Sequence, residues 1–330
     1  MKYVPYVFFL LLYPVQSYSQ NSPLEGFLDG KSVVLVSTAP AAKPIIPWDS
    51  LATEVHSALV EAGGDPVAYY ELETVTLSEA TQQSFAAQFA KRLIRNVVVI
   101  TRKENAELFI HIMPFTQDKN IVAPGTAWSA SAGDLEAFKN VIAEAGRNRH
   151  SQNLLVIEVP EFGQNAGEAG TAAGNQRFLA RNPLNLDVFK LGVPLSGAAG
   201  EWGFLSTFRY DLLGKSPEQV MAEQKSEMEG LQKIFETHYP YEVVFLGTPQ
   251  SDEALIKERI QFVLMRIEGR EADLMKNMGL ELPENIDPDR IVVKYYIKLL
   301  VRDEMYLGPV WDADPDWNTA LVNFLNNLKI

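Results

Sequence analysis

The chain has 330 residues, of which 47% are hydrophobic and 22% are charged, and its formal net charge is −13. This composition is typical of a globular protein, and the length allows one large core or two smaller ones. The negative charge opposes binding to nucleic acid and to anionic membrane surfaces, so the sequence predicts no nucleic-acid partner.

The chain contains no cysteine. A disulfide, a thiol nucleophile and a thiolate metal site are therefore excluded. A protein of this length can be exported without disulfides because its core is large enough to stabilise the fold.

The first 19 residues have the pattern of a secretory signal peptide. Lys2 precedes an apolar run at residues 7–12, and a polar stretch follows at residues 16–20, which predicts cleavage after Ser19. The alternative is an N-terminal membrane anchor, but a span needs about 20 apolar residues and this run is shorter. We therefore expect an exported protein, periplasmic or extracellular, without stable membrane insertion after signal cleavage.

Strand and helix patterns alternate through a first module at residues 28–160. Continuous apolar runs of strand length suit a sheet that helices cover on both faces. The order β-α-β-α-β-β-β-α predicts an α/β fold with mixed, partly parallel sheets covered by helices. The predicted strands are residues 32–37, 66–72, 97–101, 108–115, 121–128 and, after the last helix, 154–159.

A second, related module is predicted at residues 186–330. It follows a linker or surface loop at residues 161–185, which are rich in Gly, Ala and Asn and poor in pattern. Residues 241–246 are a predicted strand of this module, and we match them to the strand at residues 97–101.

The second module differs from the first by an added long helix at about residues 251–278. This interpretation depends on Leu255, Ile260 and Ile267, which fall on one apolar face at helical spacing. The module then closes as the first does, with a strand pair at residues 291–311 and a helix.

The two closing units match at a fixed offset of 183 residues, which predicts a tandem duplication. Two unrelated α/β segments that share a common supersecondary pattern are the alternative. The identical pairs are Gly125 and Gly308, Trp128 and Trp311, Ala130 and Ala313, Ala137 and Ala320, and Asn140 and Asn323.

The stretch Ala127-Trp128-Ser129-Ala130-Ser131 and its counterpart Val310-Trp311-Asp312-Ala313-Asp314 close a unit of strand, polar turn, strand and helix. This ending resembles the amino-terminal domain type of TolB-like envelope proteins. The resemblance covers a small part of each module and concerns the fold alone.

Three alternating aspartates, Asp312, Asp314 and Asp316, are spaced like the first ligands of a calcium loop. The pattern then fails, because Trp317 stands where the loop needs Gly and Asn323 where it needs a bidentate Glu. Helix capping explains these residues better, with Asp314 as the N-cap and Pro315 in the first helical position.

Other motifs that carry chemistry are incomplete. The run Gly214-Lys215-Ser216 ends like a phosphate-binding loop, but Arg209 occupies the position of its first glycine. The histidines form no local zinc motif, and no Gly-x-Ser-x-Gly elbow is present. The sequence therefore predicts no cofactor.

One loop is a candidate ligand site because of its position alone. In open α/β sheets, ligands bind beyond the carboxyl ends of the parallel strands. The loop after the first strand offers Ser37, Thr38, Lys43 and Trp48. The alternative is that its apolar residues pack into the core.

The leading functional hypothesis is a non-enzymatic component of the bacterial cell envelope or secretome that binds an envelope or secreted protein. It depends on the predicted export and on the incomplete motifs. One alternative is a hydrolase whose site lies at the strand ends near Ser37 and Thr38. Another is a small-ligand-binding protein that uses the cleft between the modules.

Overall fold

The structure is a computed structural model. It describes residues 19–20, 28–39, 42–103, 106–123, 127–147, 153, 159–163, 177–195, 205, 208, 217–248, 250–287 and 290–328. Residues 154–158 of the strand predicted at 154–159, the Gly214-Lys215-Ser216 run and His150 lie outside these residues.

The first of two mixed sheets, sheet A, is built from residues of the first module. Its strands are β1 (Ser19–Gln20), β2 (Lys31–Val36), β3 (Asp65–Glu71), β4 (Asn96–Arg102), β5 (Leu108–Pro114) and β6 (Ala127–Ala132). They lie in the order β1-β6-β5-β4-β2-β3. β2 is parallel to both β3 and β4, whereas β5 is antiparallel to β4 and β6.

Helices cover both faces of sheet A, which explains why its central strands are continuous apolar runs. The helices are α1 (Trp48–Glu61), α2 (Leu72–Val75), α3 (Glu79–Lys91) and α4 (Leu135–Gly146). α1 and α4 pack on the face that contains Val34 and Val36. α3 packs Phe85 and Phe89 on the opposite face.

The second sheet, sheet B, is built from residues of the second module. Its strands are β7 (Arg177–Leu179), β8 (Lys190–Pro194), β9 (Val243–Leu246), β10 (Ile260–Arg270), β11 (Ile291–Leu299) and β12 (Glu304–Tyr306). They lie in the order β7-β12-β11-β10-β8-β9. The helices are α5 (Pro217–His238), α6 (Asp252–Lys257), α7 (Glu271–Asn277) and α8 (Trp317–Asn327). α5 and α8 pack against one face of this sheet.

The two sheets have the same strand order and the same strand directions. In sheet A, β2 is parallel to the edge strand β3 on one side and to β4 on the other. In sheet B, β8 is parallel to the edge strand β9 on one side and to β10 on the other. A meander of two antiparallel strands and a short parallel strand complete each sheet. The α/β class with mixed, partly parallel sheets is thus confirmed.

The tandem duplication stays a prediction. At the offset of 183 residues, β5 coincides with β11 and α4 with α8. β6 does not coincide with β12, and Trp311 lies beyond β12, whereas Trp128 lies within β6. The second unit leaves the sheet after β12 and returns through a single bridge between Val293 and Asp314.

The predicted long helix at residues 251–278 is wrong. The chain forms the short helix α6, then the strand β10, then the short helix α7. Arg259, with φ of 64°, ends α6 in the left-handed region. The apolar residues of β10 fit a strand because neighbouring elements bury most of both its faces.

The match of residues 241–246 to residues 97–101 is also wrong. β9 lies at the edge of sheet B and pairs with β8, so its counterpart in sheet A is the edge strand β3. β10 is the counterpart of β4. The segment predicted as a linker at residues 161–185 contains β7, which pairs in parallel with β12.

The two halves of the chain contact each other through the segment between β3 and α3, and Leu205 and Phe208 of the second half also pack into the core of sheet A. Leu77 is 9% exposed and packs on sheet B against Ile267 of β10 and Leu274 of α7. Glu71 pairs with Arg270, and Lys298 Nζ donates to Glu79 Oε2 at 2.8 Å. An apolar contact flanked by two ion pairs therefore joins the two sheets.

Within the described residues, no helix has both the length and the apolar character that crossing a membrane requires. Residues 1–18 of the expected signal peptide lie outside the description, and Ser19 and Gln20 pair in parallel with β6. Export and cleavage therefore stay predictions.

Candidate functional site

Two of the predicted ligand residues, Ser37 and Thr38, lie at the carboxyl ends of the parallel strands of sheet A. They follow β2, while Glu71 ends β3 and Glu73 opens α2. Ser37 Oγ donates to Glu73 Oε1 at 2.6 Å, and the backbone N–H of Thr38 donates to Glu73 Oε2 at 3.0 Å. Thr38 Oγ1 donates to Glu71. The strand ends thus form a polar cluster around two carboxylates.

Sheet B completes this cluster with the side chain of Arg270. Its guanidinium pairs with Glu71 across the two halves and with Asp273 Oδ2 at 2.9 Å. Burial raises the pKa of Glu71, but hydrogen bonds from Arg270, Thr38 and Thr74 outweigh it and hold the pKa below its usual range. Glu71 is therefore an ionised carboxylate at neutral pH.

The crevice at this cluster is too small for a substrate. It encloses about 20 Å³, which is room for about one water molecule. Its lining contains carboxylates, threonines, Arg270 and apolar groups, but no histidine. Ser37 has a carboxylate and no imidazole as its partner, so the arrangement lacks the Ser–His pair of a typical serine nucleophile.

The other two predicted ligand residues, Lys43 and Trp48, do not join this cluster. Lys43 is exposed in the loop before α1. Trp48 opens α1 and packs edge-on against Phe162, with ring centroids 5.7 Å apart. The predicted loop is thus divided between a polar crevice and an aromatic surface.

The three aspartates near the C-terminus have separate roles. The N-cap of α8 is Asp316, which accepts from Thr319 N at 2.8 Å, so the prediction of Asp314 as the cap is wrong. Asp314 Oδ1 accepts from Asp316 N at 2.9 Å, and Pro315 precedes the cap. Asp312 is buried beside Lys294. Within the described ranges, no three His, Asp or Glu residues are grouped as metal ligands.

Lys294 is a buried cation that sequence reasoning missed. It lies in β11 with none of its side chain exposed, and its Nζ donates to Leu307 O at 2.7 Å and to Asp312. Burial lowers its pKa, although the charge and hydrogen bond of Asp312 oppose this. The signal in the sequence is a lysine within the apolar strand Ile291–Leu299.

The outer edges of the two sheets differ. In sheet A, Tyr69 N donates to Glu161 O at 2.8 Å and Gly163 N donates to Tyr69 O at 2.9 Å, so the chain adds a parallel segment to β3. Phe162 anchors this segment against Trp48 and Tyr69. In sheet B, no described segment pairs with the outer edge of β9.

Comparison of the chain with family models, with curated proteins and with solved structures finds no match. The resemblance of the closing units to TolB-like envelope proteins gains no support from these comparisons. The function must therefore be argued from the residues and surfaces described above.

Proposed function

We propose that the protein is a non-enzymatic binding protein of the bacterial cell envelope or secretome, and that it binds an extended segment of a partner protein along β9. The observation that carries the proposal is the outer edge of β9 in sheet B, with which no segment in the described part of the chain pairs. Its counterpart in sheet A, β3, is occupied by the chain itself.

The backbone of β9 has donors and acceptors available for another strand. Leu191 N donates to Glu242 O at 3.0 Å and Leu195 N donates to Leu246 O at 2.9 Å, so these carbonyls point towards β8. Backbone groups alternate in direction along a strand. Val243 and Phe245 therefore direct their N–H and C=O groups away from the sheet.

The side chains of β9 lack the usual protection of an edge. Its sequence is Val-Val-Phe-Leu, without a charge or a proline, and its first three side chains are only half-buried. Edge strands of native proteins are blunted by charges, proline, bulges or shortness, and here only shortness applies. The edge is thus suited to strand addition.

The segment at Glu161–Gly163 indicates what kind of partner would fit. It pairs in parallel with β3 and inserts one aromatic side chain, Phe162, against its neighbours. We expect the partner to supply an extended stretch that runs parallel to β9 with an apolar residue at the paired position. The net charge of −13 favours a neutral or basic segment over an acidic one.

The hydrolase alternative has weaker support. The crevice beside Ser37 and Thr38 is water-sized, and the hydrogen bonds there connect hydroxyls to carboxylates rather than to an imidazole. Export to the periplasm or the medium rests on the signal-like pattern of residues 1–19 and belongs to the same proposal.

A proline scan of β9 tests the proposal. The V243P variant removes an outward N–H but leaves the ladder to β8 intact, whereas V243A keeps the N–H and removes only side-chain atoms. Affinity purification of the tagged protein after crosslinking in its native cells should recover one stoichiometric partner with wild type and V243A, but not with V243P.

Recovery of the same partner by V243P would place the contact elsewhere on the molecule. A partnerless monomer from the wild-type strain would overturn the binding role. Circular dichroism of V243P, compared with V244P, controls for folding, because Val244 donates towards β8 and its replacement should destabilise the sheet.

A further inference from the structure

Arg102 occupies a distinctive place in sheet A. It is the last residue of β4, whose neighbour β2 runs parallel to it. The chain leaves β2 towards β3 on one side and later returns to β4 on the other, so the strand order reverses between β2 and β4. Ligands of open α/β sheets bind outside the carboxyl ends of the strands at such a reversal.

No carboxylate of the described residues forms an ion pair with the buried guanidinium of Arg102. The residue is 8% exposed, and its Nη2 donates to Pro44 O at 2.7 Å. Its Nε and Nη1 are buried and have no hydrogen-bond partner, so three of its five N–H donors are unused. Burial lowers the pKa of Arg102, yet an arginine stays charged in a protein.

Other arginines of the described residues show the contrast. Five of them form ion pairs with carboxylates, and their side chains are 27% to 70% exposed: Arg92, Arg147, Arg266, Arg270 and Arg290. The more deeply buried Arg102 forms none. An isolated buried charge is strongly unfavourable unless an opposite charge accompanies it.

We propose that Arg102 anchors a binding site for the carboxylate group of a small molecule, at the carboxyl ends of β2 and β4. One buried positive charge is balanced by one negative charge, and the net charge of −13 disfavours polyanions. The guanidinium donors match the oxygens of a carboxylate in geometry.

The loop between β2 and α1 forms the outer side of this site. Ala42 is buried, whereas Lys43, Pro44 and Ile45 are exposed. Pro44 brings this loop into contact with the guanidinium through its carbonyl, and its neighbour Lys43 adds a second positive charge to the loop. The site is on sheet A, so a failure of its test would leave the proposal of strand addition to β9 unaffected.

Anion titration tests the site on the full-length protein. The unfolding midpoint in urea is measured against sodium acetate, with sodium chloride at equal ionic strength as the reference and sodium phosphate as a second probe. Wild type should gain stability with acetate in a saturable manner. R102M should lose that gain, and R147M, which removes an exposed arginine paired with Glu144, should retain it.

The variants also distinguish an anion site from a structural arginine. Without acetate, R102M should be as stable as wild type or more stable, because the substitution removes an uncompensated buried charge. R102K keeps the charge and should retain a weakened acetate response, so the site can still be tested if R102M fails to fold.

Three results would overturn the proposal. They are the lack of a saturable response in wild type, a response that persists in R102M, and a response to phosphate but not to acetate.

Discussion

His111 lies on β5 with 6% of its surface exposed, and its Nδ1 is 2.7 Å from Ser129 Oγ. Burial lowers its pKa from 6.5 to about 4. The folded protein therefore holds a neutral ring where the unfolded chain would bind a proton. A buried neutral histidine makes stability depend on pH in a window that carboxylates do not share.

The H111N variant should remove this dependence. The unfolded chain takes up the proton near pH 6.5, whereas the folded chain resists it until about pH 4, so stability falls as the pH drops through this window. Wild type should lose about 2 kcal/mol between pH 7 and pH 5, and H111N should lose much less.

Urea unfolding at a series of pH values measures the effect. The Asn side chain can still form a hydrogen bond with Ser129, because its amide takes the position of the histidine Nδ1. Equal slopes for the two proteins would show that His111 is protonated at its ordinary pKa.

At the residue scale, the sequence predicts where a capping side chain lies along the chain but not which backbone N–H it bonds. The start of the last helix was predicted within two residues, yet Asp316 caps it rather than Asp314. Both aspartates can accept from a backbone N–H two or three residues ahead. The choice depends on where the chain leaves its bridge to Val293, which is a tertiary contact.

Elements differ in how far their sequence determines them. β2, β3 and β4 were predicted because their apolar runs are bounded by turns and separated by helical stripes. Leu255, Ile260 and Ile267 also fit a helical face, so their spacing predicts one long helix where the chain forms α6 and β10. A short apolar run can fit either period, and its burial between neighbouring strands decides the outcome.

The ion pair between Lys294 and Asp312 connects β11 to the segment that follows β12. Neither side chain has more than 3% of its surface exposed, and Asn327 Nδ2 donates to Asp312 Oδ2 at 3.2 Å. Removing one partner leaves a buried charge. We expect D312A to lower the free energy of unfolding by about 3–5 kcal/mol.

The double variant K294M/D312L should recover most of that loss, because it removes both charges and keeps apolar volume beside Phe324. Urea unfolding of wild type, the two single variants and the double variant measures the coupling. A D312A protein as stable as wild type would show that Lys294 is neutral or solvated in the fold.

At the scale of the whole molecule, the sequence predicted two related α/β modules but not how they meet. Both sheets have one strand order, which the alternating pattern alone could not define, since the edge positions of β3 and β9 depend on pairing. The contact between the halves depends on single residues of a connecting segment. Leu77, Glu71 and Glu79 carry no local signal that marks them as an interface.

Three of the four charges in the ion pairs across this contact have a second charged partner within their own half. Arg270 also pairs with Asp273, and Lys298 Nζ also lies 3.1 Å from Asp303 Oδ1. Glu79 Oε1 also accepts from Lys119 Nζ at 2.9 Å. Glu71 has the hydroxyls of Thr38 and Thr74 in its own half instead. Such alternative partners are typical of a separable interface.

Acid should therefore uncouple the halves. Burial raises the pKa of Glu71 and of Glu79, but bonds from Arg270 and Lys298 respectively outweigh it, so both pKa values are lowered from 4.5. A lowered carboxyl pKa gives stability that is present above the unfolded value and is lost as the pH falls through the folded value. The coupling should persist at neutral pH and fail in acid, as the pH falls through the folded pKa values of the two carboxyls, which lie below 4.5.

The E71Q/E79Q variant should reproduce this failure at neutral pH. Calorimetry should show one transition for wild type at pH 7, and two for the variant at pH 7 and for wild type in acid, because each sheet then unfolds with its own helices. E161Q, which removes the exposed ion pair to Arg92 within one half, should keep one transition. A single transition in E71Q/E79Q, merely shifted to lower temperature, would mean that the apolar contacts of Leu77 with sheet B and of Leu205 and Phe208 with sheet A join the sheets into one cooperative unit without the ion pairs.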